Sequence, residues 1–129
     1  MLKSNMAKTG ATGFTRIINA AGYSWAGLKA AYTNEAAFRQ ELWLVIALSP
    51  VAVIFGPSYA DKAVLLASLV FILLIEILNS ALEAVVDRFG DEIHPLSGRA
   101  KDMGSAAVLL AFFITGLIWF SVFSEALGL

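Results

Sequence analysis

The sequence predicts an all-α membrane protein, with an amphipathic surface helix followed by three transmembrane helices. Of its 129 residues, 59% are hydrophobic, and the mean hydropathy is +0.77, both well above the values of a soluble domain. Three long apolar segments are separated by short polar stretches, which is typical of helical spans. The chain contains no cysteine, which excludes disulfides and thiolate chemistry.

The first predicted element is an amphipathic helix over about residues 14–34. Apolar side chains recur there at spacings of three and four, as in a helix lying on the cytoplasmic leaflet. These positions are Phe14, Ile18, Ala21, Trp25, Leu28 and Tyr32. Residues 1–12 are polar, so we expect a disordered tail and no cleavable signal peptide. Residues 13–129 should form one membrane-embedded domain.

Three spans are then expected at about 35–55, 63–88 and 98–123. The first ends at the helix-breaking run 56–58. The second should begin after Asp61 as its N-cap and end before Gly90. The third carries Trp119 near its outer end, as expected for an aromatic belt at the membrane interface.

Basic residues predict the orientation. Eight of them lie before the apolar core of the first span or flank the loop between the second and third spans, namely Lys3, Lys8, Arg16, Lys29, Arg39, Arg88, Arg99 and Lys101. The loop between the first and second spans holds only Lys62. Because cytoplasmic loops are enriched in Lys and Arg, the N-terminus should be cytoplasmic and the C-terminus should lie on the opposite side.

The second span carries an acidic stripe. At about 100° per residue, one helix face collects the polar side chains. These are Glu76, Asn79, Ser80, Glu83 and Asp87. A carboxylate inside a membrane costs at least about 2.5 kcal/mol, so a functional site is the default interpretation. On the expected topology Glu83 lies near the cytoplasmic surface, and Glu76 lies about 10 Å deeper, at the level of a lipid headgroup.

Residues 87–105 add charges of both signs beside this stripe. Carboxylates can hold Mg²⁺, Lys101 can neutralise phosphate oxygens, and a buried carboxylate can act as a general base toward a hydroxyl. Those are the parts of a phosphoryl-transfer site. The sequence has neither a P-loop nor the glycine-rich loop of protein kinases, so a nucleotide would be held in another way.

Other interpretations stay open on these residues alone. The carboxylates could be structural, held by neighbouring helices of an oligomer. They could also belong to an oligomeric proton or cation pathway. Such a pathway needs polar groups across the whole bilayer, whereas residues 63–75 offer only Ser68, which favours a site open to one side. Lys101 could simply snorkel to the interface, and His94 could be a solvated loop residue.

Five runs of the sequence closely resemble the small integral-membrane diacylglycerol kinases of bacteria. They are GFTRII at 13–18, AAGYSW at 20–25, NEAAFRQE at 34–41, EILNSA at 76–81 and GRAKDMGS at 98–105. Altogether the resemblance covers about residues 13–119. Positions 19 and 26 depart from it, since Asn19 and Ala26 stand where the family's pattern has basic residues.

This resemblance implies an enzyme that uses ATP and Mg²⁺ to convert diacylglycerol to phosphatidic acid in phospholipid metabolism. It further implies a homotrimer in the bacterial inner membrane, with active sites between subunits, a periplasmic C-terminus and no nucleic-acid partner. An undecaprenol kinase is the close alternative, because related proteins phosphorylate that lipid.

The resemblance also implies roles for individual residues. Glu76 is expected to be the general base, and Glu35 and Glu83 are expected to hold Mg²⁺. Nucleotide contacts are expected from Arg16, Tyr23, Glu35, Glu83, Glu92, His94, Lys101 and Asp102. Lipid-substrate contacts are expected from Arg16, Ala20, Ala21, Gly22, Tyr23, Ser24, Trp25, Glu41, Glu76, Asn79, Ser105 and Trp119.

Overall fold

The computed structural model describes residues 12–129, and its regular secondary structure over that range is all α-helix. Its helices are α1 (Gly13–Asn34), α2 (Ala36–Phe55), α3 (Tyr59–Asp87) and α4 (Pro95–Ala126). The predicted all-α class is therefore confirmed, and α2, α3 and α4 are each long and apolar enough to cross a membrane. Apart from Thr12, the tail predicted to be disordered lies outside the described residues.

Helix α3 begins earlier than the sequence suggested. The predicted N-cap, Asp61, was wrong, because Ser58 fills that position and its Oγ accepts the Asp61 backbone N–H at 3.1 Å. The Ser58 hydroxyl in turn donates to the Asp61 carboxylate at 2.6 Å. Serine is a preferred N-cap, and an acidic residue in the first turn complements the helix dipole. The span thus begins at Tyr59 rather than near residue 63.

Helix α4 also begins earlier than predicted, at Pro95 instead of Gly98. The preceding His94 is the N-cap, and its Nδ1 accepts the backbone N–H of Leu96 at 3.1 Å. Proline fits the first position of a helix because that N–H would have no helical partner. The loop between α3 and α4 is correspondingly short.

Helix α3 is the centre of the fold, since it packs against α4, α2 and α1. Its largest fully buried side chains are Leu65, Leu69 and Ile72, at the spacing of one helix face. In a bilayer, close packing of such side chains contributes more to helix association than exclusion of water does. The face of α3 that carries this core continues directly to Glu76.

A polar contact joins α3 to α4 in the half of the helices away from the acidic stripe. Thr115 Oγ1 donates to the backbone carbonyl of Ser68 at 3.0 Å, and Trp119 Nε1 donates to Ser68 Oγ at 3.0 Å. The Ser68 hydroxyl donates to the Leu65 carbonyl at 2.7 Å. Such interhelical hydrogen bonds help to fix helix register in membranes.

Candidate active site

Two glutamates from different helices meet at the centre of the candidate site. Glu41 on α2 is 9% exposed and Glu76 on α3 is 4% exposed, and their carboxyl groups lie within hydrogen-bonding reach of each other. Oε2 of Glu41 is buried without a hydrogen-bond partner in the described part of the chain. Two carboxylates this close repel each other unless a proton or a cation lies with them.

Glu35 and Glu83 lie close enough to Glu76 for direct electrostatic interaction. Glu35 joins α1 to α2, and its backbone N–H donates to the Ala31 carbonyl at 2.9 Å. The Arg39 guanidinium fixes this junction, because it donates to two carbonyls in the last turn of α1, at 2.7 and 3.1 Å. A basic side chain commonly satisfies such carbonyls at the end of a helix. The junction thereby carries the Glu35 carboxylate to the acidic face of α3.

The next turn of α3 contributes two neutral polar side chains. Asn79 Nδ2 donates to Glu83 Oε1 at 3.3 Å. Within residues 12–129, Asn79 Oδ1 and Ser80 Oγ are buried and have no hydrogen-bond partner. Buried polar atoms are almost always paired, so unpaired ones call for a water, an ion or a ligand. Ser80 Oγ and Glu41 Oε2, both unpaired in the described part of the chain, favour a binding site over a structural cluster.

An exposed ion pair lies at the cytoplasmic end predicted for α3 and α4. Lys101 Nζ is 2.6 Å from Asp87 Oδ1, and the two side chains are 45% and 63% exposed. Glu83 also lies within electrostatic range of Lys101. An exposed pair contributes at most about 1 kcal/mol, so Lys101 can exchange Asp87 for a phosphate at little cost.

Two loop residues predicted to contact a nucleotide, Glu92 and His94, lie between the two partners of this ion pair in the sequence. Glu92 and His94 line a groove of about 320 Å³ with Phe89, Leu96 and Ser97. Because Nδ1 of His94 is occupied as the N-cap acceptor, its Nε2 is the ring nitrogen available to a ligand. Asp102 and Ser105 are exposed on the first turns of α4.

The predicted contacts on α1 are exposed, and one chain does not bring all of them to the carboxylates. Tyr23 lies about 18 Å along the helix from Glu35, and Arg16 about 28 Å. The exposed set on this stretch consists of Arg16, Ala20, Ala21, Gly22, Tyr23, Ser24 and Trp25. Trp25 lines an apolar groove of about 460 Å³ that α1 forms with Phe38 on α2 and Leu73 on α3.

Trp119 is not brought to the carboxylates either. Its indole N–H is bonded to Ser68, which precedes Glu76 by about 12 Å along α3. Ser105, another predicted lipid contact, is about 21 Å from Trp119 along α4. The lipid contact assigned to Trp119 stays a prediction.

Sequence reasoning gave no role to Gly104, although the residue lies in a run quoted for the resemblance. A Cβ added at Gly104 would overlap Oδ1 of Asn79 and would lie 3.2 Å from Asn79 Cγ. The Lys101–Asp87 pair was missed as well. Both are contacts between α3 and α4, which a single sequence does not reveal.

The carboxylates are compatible with a Mg²⁺ ion that is bound together with the phosphates of a nucleotide. Among the described residues, no three His, Asp or Glu side chains form a ready-made metal cluster. Mg²⁺ in nucleotide sites, however, takes one or two carboxylates and completes its shell with waters and substrate phosphates. Glu35 and Glu83, both close to Glu76, could supply two such ligands.

Comparison with known proteins defines the class. Residues 22–123 match the family model described as prokaryotic diacylglycerol kinase. The chain is 56% identical over 108 residues to a diacylglycerol kinase of Escherichia coli strain K12, covering 84% of this chain and 88% of that protein. For diacylglycerol kinases of Pseudomonas aeruginosa and Haemophilus influenzae, the identities are 48% over 113 residues and 46% over 108. Those matches cover 88% and 84% of this chain and 92% of each relative.

The fold and these matches together define a helical membrane protein with a polar site beside its central helix. The chain belongs to the prokaryotic diacylglycerol kinase family.

Proposed function

We propose that the protein transfers the γ-phosphate of ATP to the primary hydroxyl of diacylglycerol, giving phosphatidic acid and ADP. The observation that carries this proposal is the buried contact between Glu41 and Glu76, within a family whose relatives bear the name diacylglycerol kinase. Buried acids in a membrane helix are retained where chemistry needs them. We place the reaction at the cytoplasmic face of a bacterial inner membrane.

Glu76 is the proposed general base. Its carboxylate takes the proton of the lipid hydroxyl as that oxygen attacks the γ-phosphorus and the bond to the bridging β–γ oxygen breaks. Burial keeps bulk water away from Glu76, so that the lipid hydroxyl rather than water receives the phosphoryl group. Glu41 lies against Glu76 and contributes a second buried carboxyl group beside the proposed acceptor.

Glu35 and Glu83 are the proposed ligands of Mg²⁺, which would neutralise charge on the phosphate oxygens. Asn79 donates to Glu83 and so orients one of these ligands. Lys101 provides a positive charge at the mouth of the site. The remaining proposed nucleotide contacts are Arg16, Tyr23, Glu92, His94 and Asp102.

The proposed homotrimer explains why some of these contacts are distant within one chain. Arg16 is about 28 Å along α1 from Glu35, and we propose that it contacts the site of a neighbouring chain instead. Large apolar side chains on α4 are also exposed in the single chain, for example Phe113 at 67%. We propose that other chains and lipid cover that surface, and that α1 lies on the cytoplasmic leaflet.

A cation pathway is not favoured, since Ser68 is the one polar side chain in residues 63–75 of α3, and its hydroxyl is hydrogen-bonded to Trp119 on α4 and to the Leu65 carbonyl. A direct comparison of two lipids tests which one is the phosphate acceptor. Purified protein in mixed micelles with MgATP should phosphorylate a short-chain diacylglycerol faster than undecaprenol at equal mole fraction. A preference for undecaprenol, or no transfer to diacylglycerol, would overturn the proposal.

A further inference from the structure

Asn79 and Gly104 form an α3–α4 contact one turn from Glu83. A Cβ at position 104 would overlap Asn79 Oδ1, and its other near neighbours would be Asn79 Cγ at 3.2 Å and Leu82 Cδ2 at 3.7 Å. All of these atoms belong to side chains, and none belongs to the α3 backbone. Glycine at this position therefore leaves room for one particular group, the Asn79 carboxamide.

The orientation of that carboxamide is fixed from both sides. On the α3 side, the Asn79 NH₂ group donates to Glu83 Oε1 at 3.3 Å. Oδ1 is then directed to α4, where it is buried without a donor from the described residues. The missing side chain at Gly104 makes that position of Oδ1 possible.

We infer that Gly104 is a positioning residue. It holds the Asn79 carboxamide in the orientation in which Asn79 donates to Glu83, and that hydrogen bond directs Glu83 toward the metal and the nucleotide. This inference rests on the proposed function, because it takes Glu83 as a Mg²⁺ ligand. An alanine at position 104 pushes the end of a flexible side chain rather than the backbone. The helices therefore still pack, while Asn79 rotates away and its hydrogen bond to Glu83 is lost.

The matched control is Gly116→Ala. Gly116 lies on the same helix, and an added Cβ there meets no atom within 4 Å. Both variants gain the same helix propensity, so a difference between them reports the contact with Asn79.

The first measurement follows Asn79 itself. The chain has four asparagines, so selective isotope labelling of asparagine gives a small set of side-chain amide NMR signals, and Asn79→Ala identifies the pair of interest. We expect Gly104→Ala to shift that pair and Gly116→Ala to leave it in place. Unshifted signals in Gly104→Ala overturn the inference, whatever the activity of the protein.

The second measurement is the Mg²⁺ concentration that gives half-maximal phosphorylation of diacylglycerol. Loss of one hydrogen bond to a charged ligand should raise it about tenfold in Gly104→Ala, with kcat at saturating Mg²⁺ little changed. Gly116→Ala should match the wild type. In an Asn79→Ala background, Gly104→Ala should add nothing, because the group it displaces is gone; an additive effect contradicts the inference.

The outcomes separate this inference from the proposed function. If wild-type protein transfers no phosphate to diacylglycerol, the proposed function fails, and the NMR comparison still decides whether Gly104 holds Asn79. A shifted Asn79 signal with an unchanged Mg²⁺ requirement overturns the link to Glu83. Should Gly104→Ala fail to fold, the double variant with Asn79→Ala relieves the overlap, and its failure to restore folding also overturns the inference.

Discussion

Glu41 on α2 and Glu76 on α3 face each other in the interior of the helix bundle, although 34 residues separate them in sequence. Both carboxyl groups are buried. Two acids in contact cost folding free energy unless they share a proton or a cation, and buried acids in a membrane helix are retained where chemistry needs them.

Glu41→Gln should therefore make the protein more stable and less active. Glutamine cannot ionise, so it removes the repulsion that arises when both acids are charged, and it can donate a hydrogen bond to the Glu76 carboxylate, which then accepts a proton less readily. We expect the unfolding temperature to rise by a few degrees for a gain of about 1 kcal/mol and kcat to fall by about tenfold or more. Thermal unfolding and kinase assays in the same detergent check this. A lower unfolding temperature would argue against repulsion between the two acids.

Glu76→Gln should abolish phosphoryl transfer. Loss of a general base costs about 10²- to 10⁴-fold in rate, while glutamine keeps the size of the side chain and should leave the fold and the oligomer intact. The matched control is Glu125→Gln, which makes the same change on an exposed residue at the end of α4. Undiminished turnover of Glu76→Gln in radiolabelled phosphate transfer would remove the base assignment.

Glu35→Ala and Glu83→Ala should each raise the Mg²⁺ concentration that the reaction requires. Each variant removes one carboxylate from a cation that takes few protein ligands, so a shift of about 10- to 100-fold is expected. Mg²⁺ titrations at saturating ATP measure it, with Glu125→Ala as control. Mg²⁺ curves that superimpose on that of the wild type are incompatible with the ligand roles.

Lys101→Met and Asp87→Asn should differ although they break the same ion pair. Lys101→Met removes the charge proposed to meet the phosphates and should raise KM for ATP about tenfold. Asp87→Asn frees Lys101 and, because the pair is exposed, should change stability by no more than about 1 kcal/mol. Equal KM values in the two variants would indicate that Lys101 contacts only Asp87.

Trp119→Phe should lower the stability of the protein. It removes the donor to Ser68, and hydrogen bonds between membrane helices contribute about 0.6 kcal/mol on average and about 1.7 at most. The denaturant midpoint in micelles should fall accordingly, with KM for diacylglycerol unchanged. A raised KM at unchanged stability would instead support the lipid contact predicted from the resemblance.

The sequence was most informative where one helix determined the geometry. Glu76, Asn79 and Glu83 were assigned to one face because helical periodicity fixes their relative angles, and the structure has Asn79 bonded to Glu83. The three spans were likewise predictable from the length of their apolar runs.

Geometry that depends on two helices could not be read from the sequence. Nothing in residues 34–41 predicts that Glu41 meets Glu76, and nothing in the run 98–105 singles out Gly104, because both contacts depend on how helices pack. The start of α3 was missed for a local reason, since Ser58 and Asp61 are both good N-cap residues and only the structure shows which one caps the helix.

The polar contact of Ser68 with Thr115 and Trp119 ties α3 to α4 in one half of the bundle, whereas an exposed ion pair joins the two helices at their opposite ends. The polar contacts between α3 and α4 are therefore stronger in the half that contains Ser68 than at the ends joined by the ion pair. We therefore expect small displacements at the ends joined by the exposed pair, where the proposed nucleotide contacts lie, while the membrane-embedded remainder keeps its alignment.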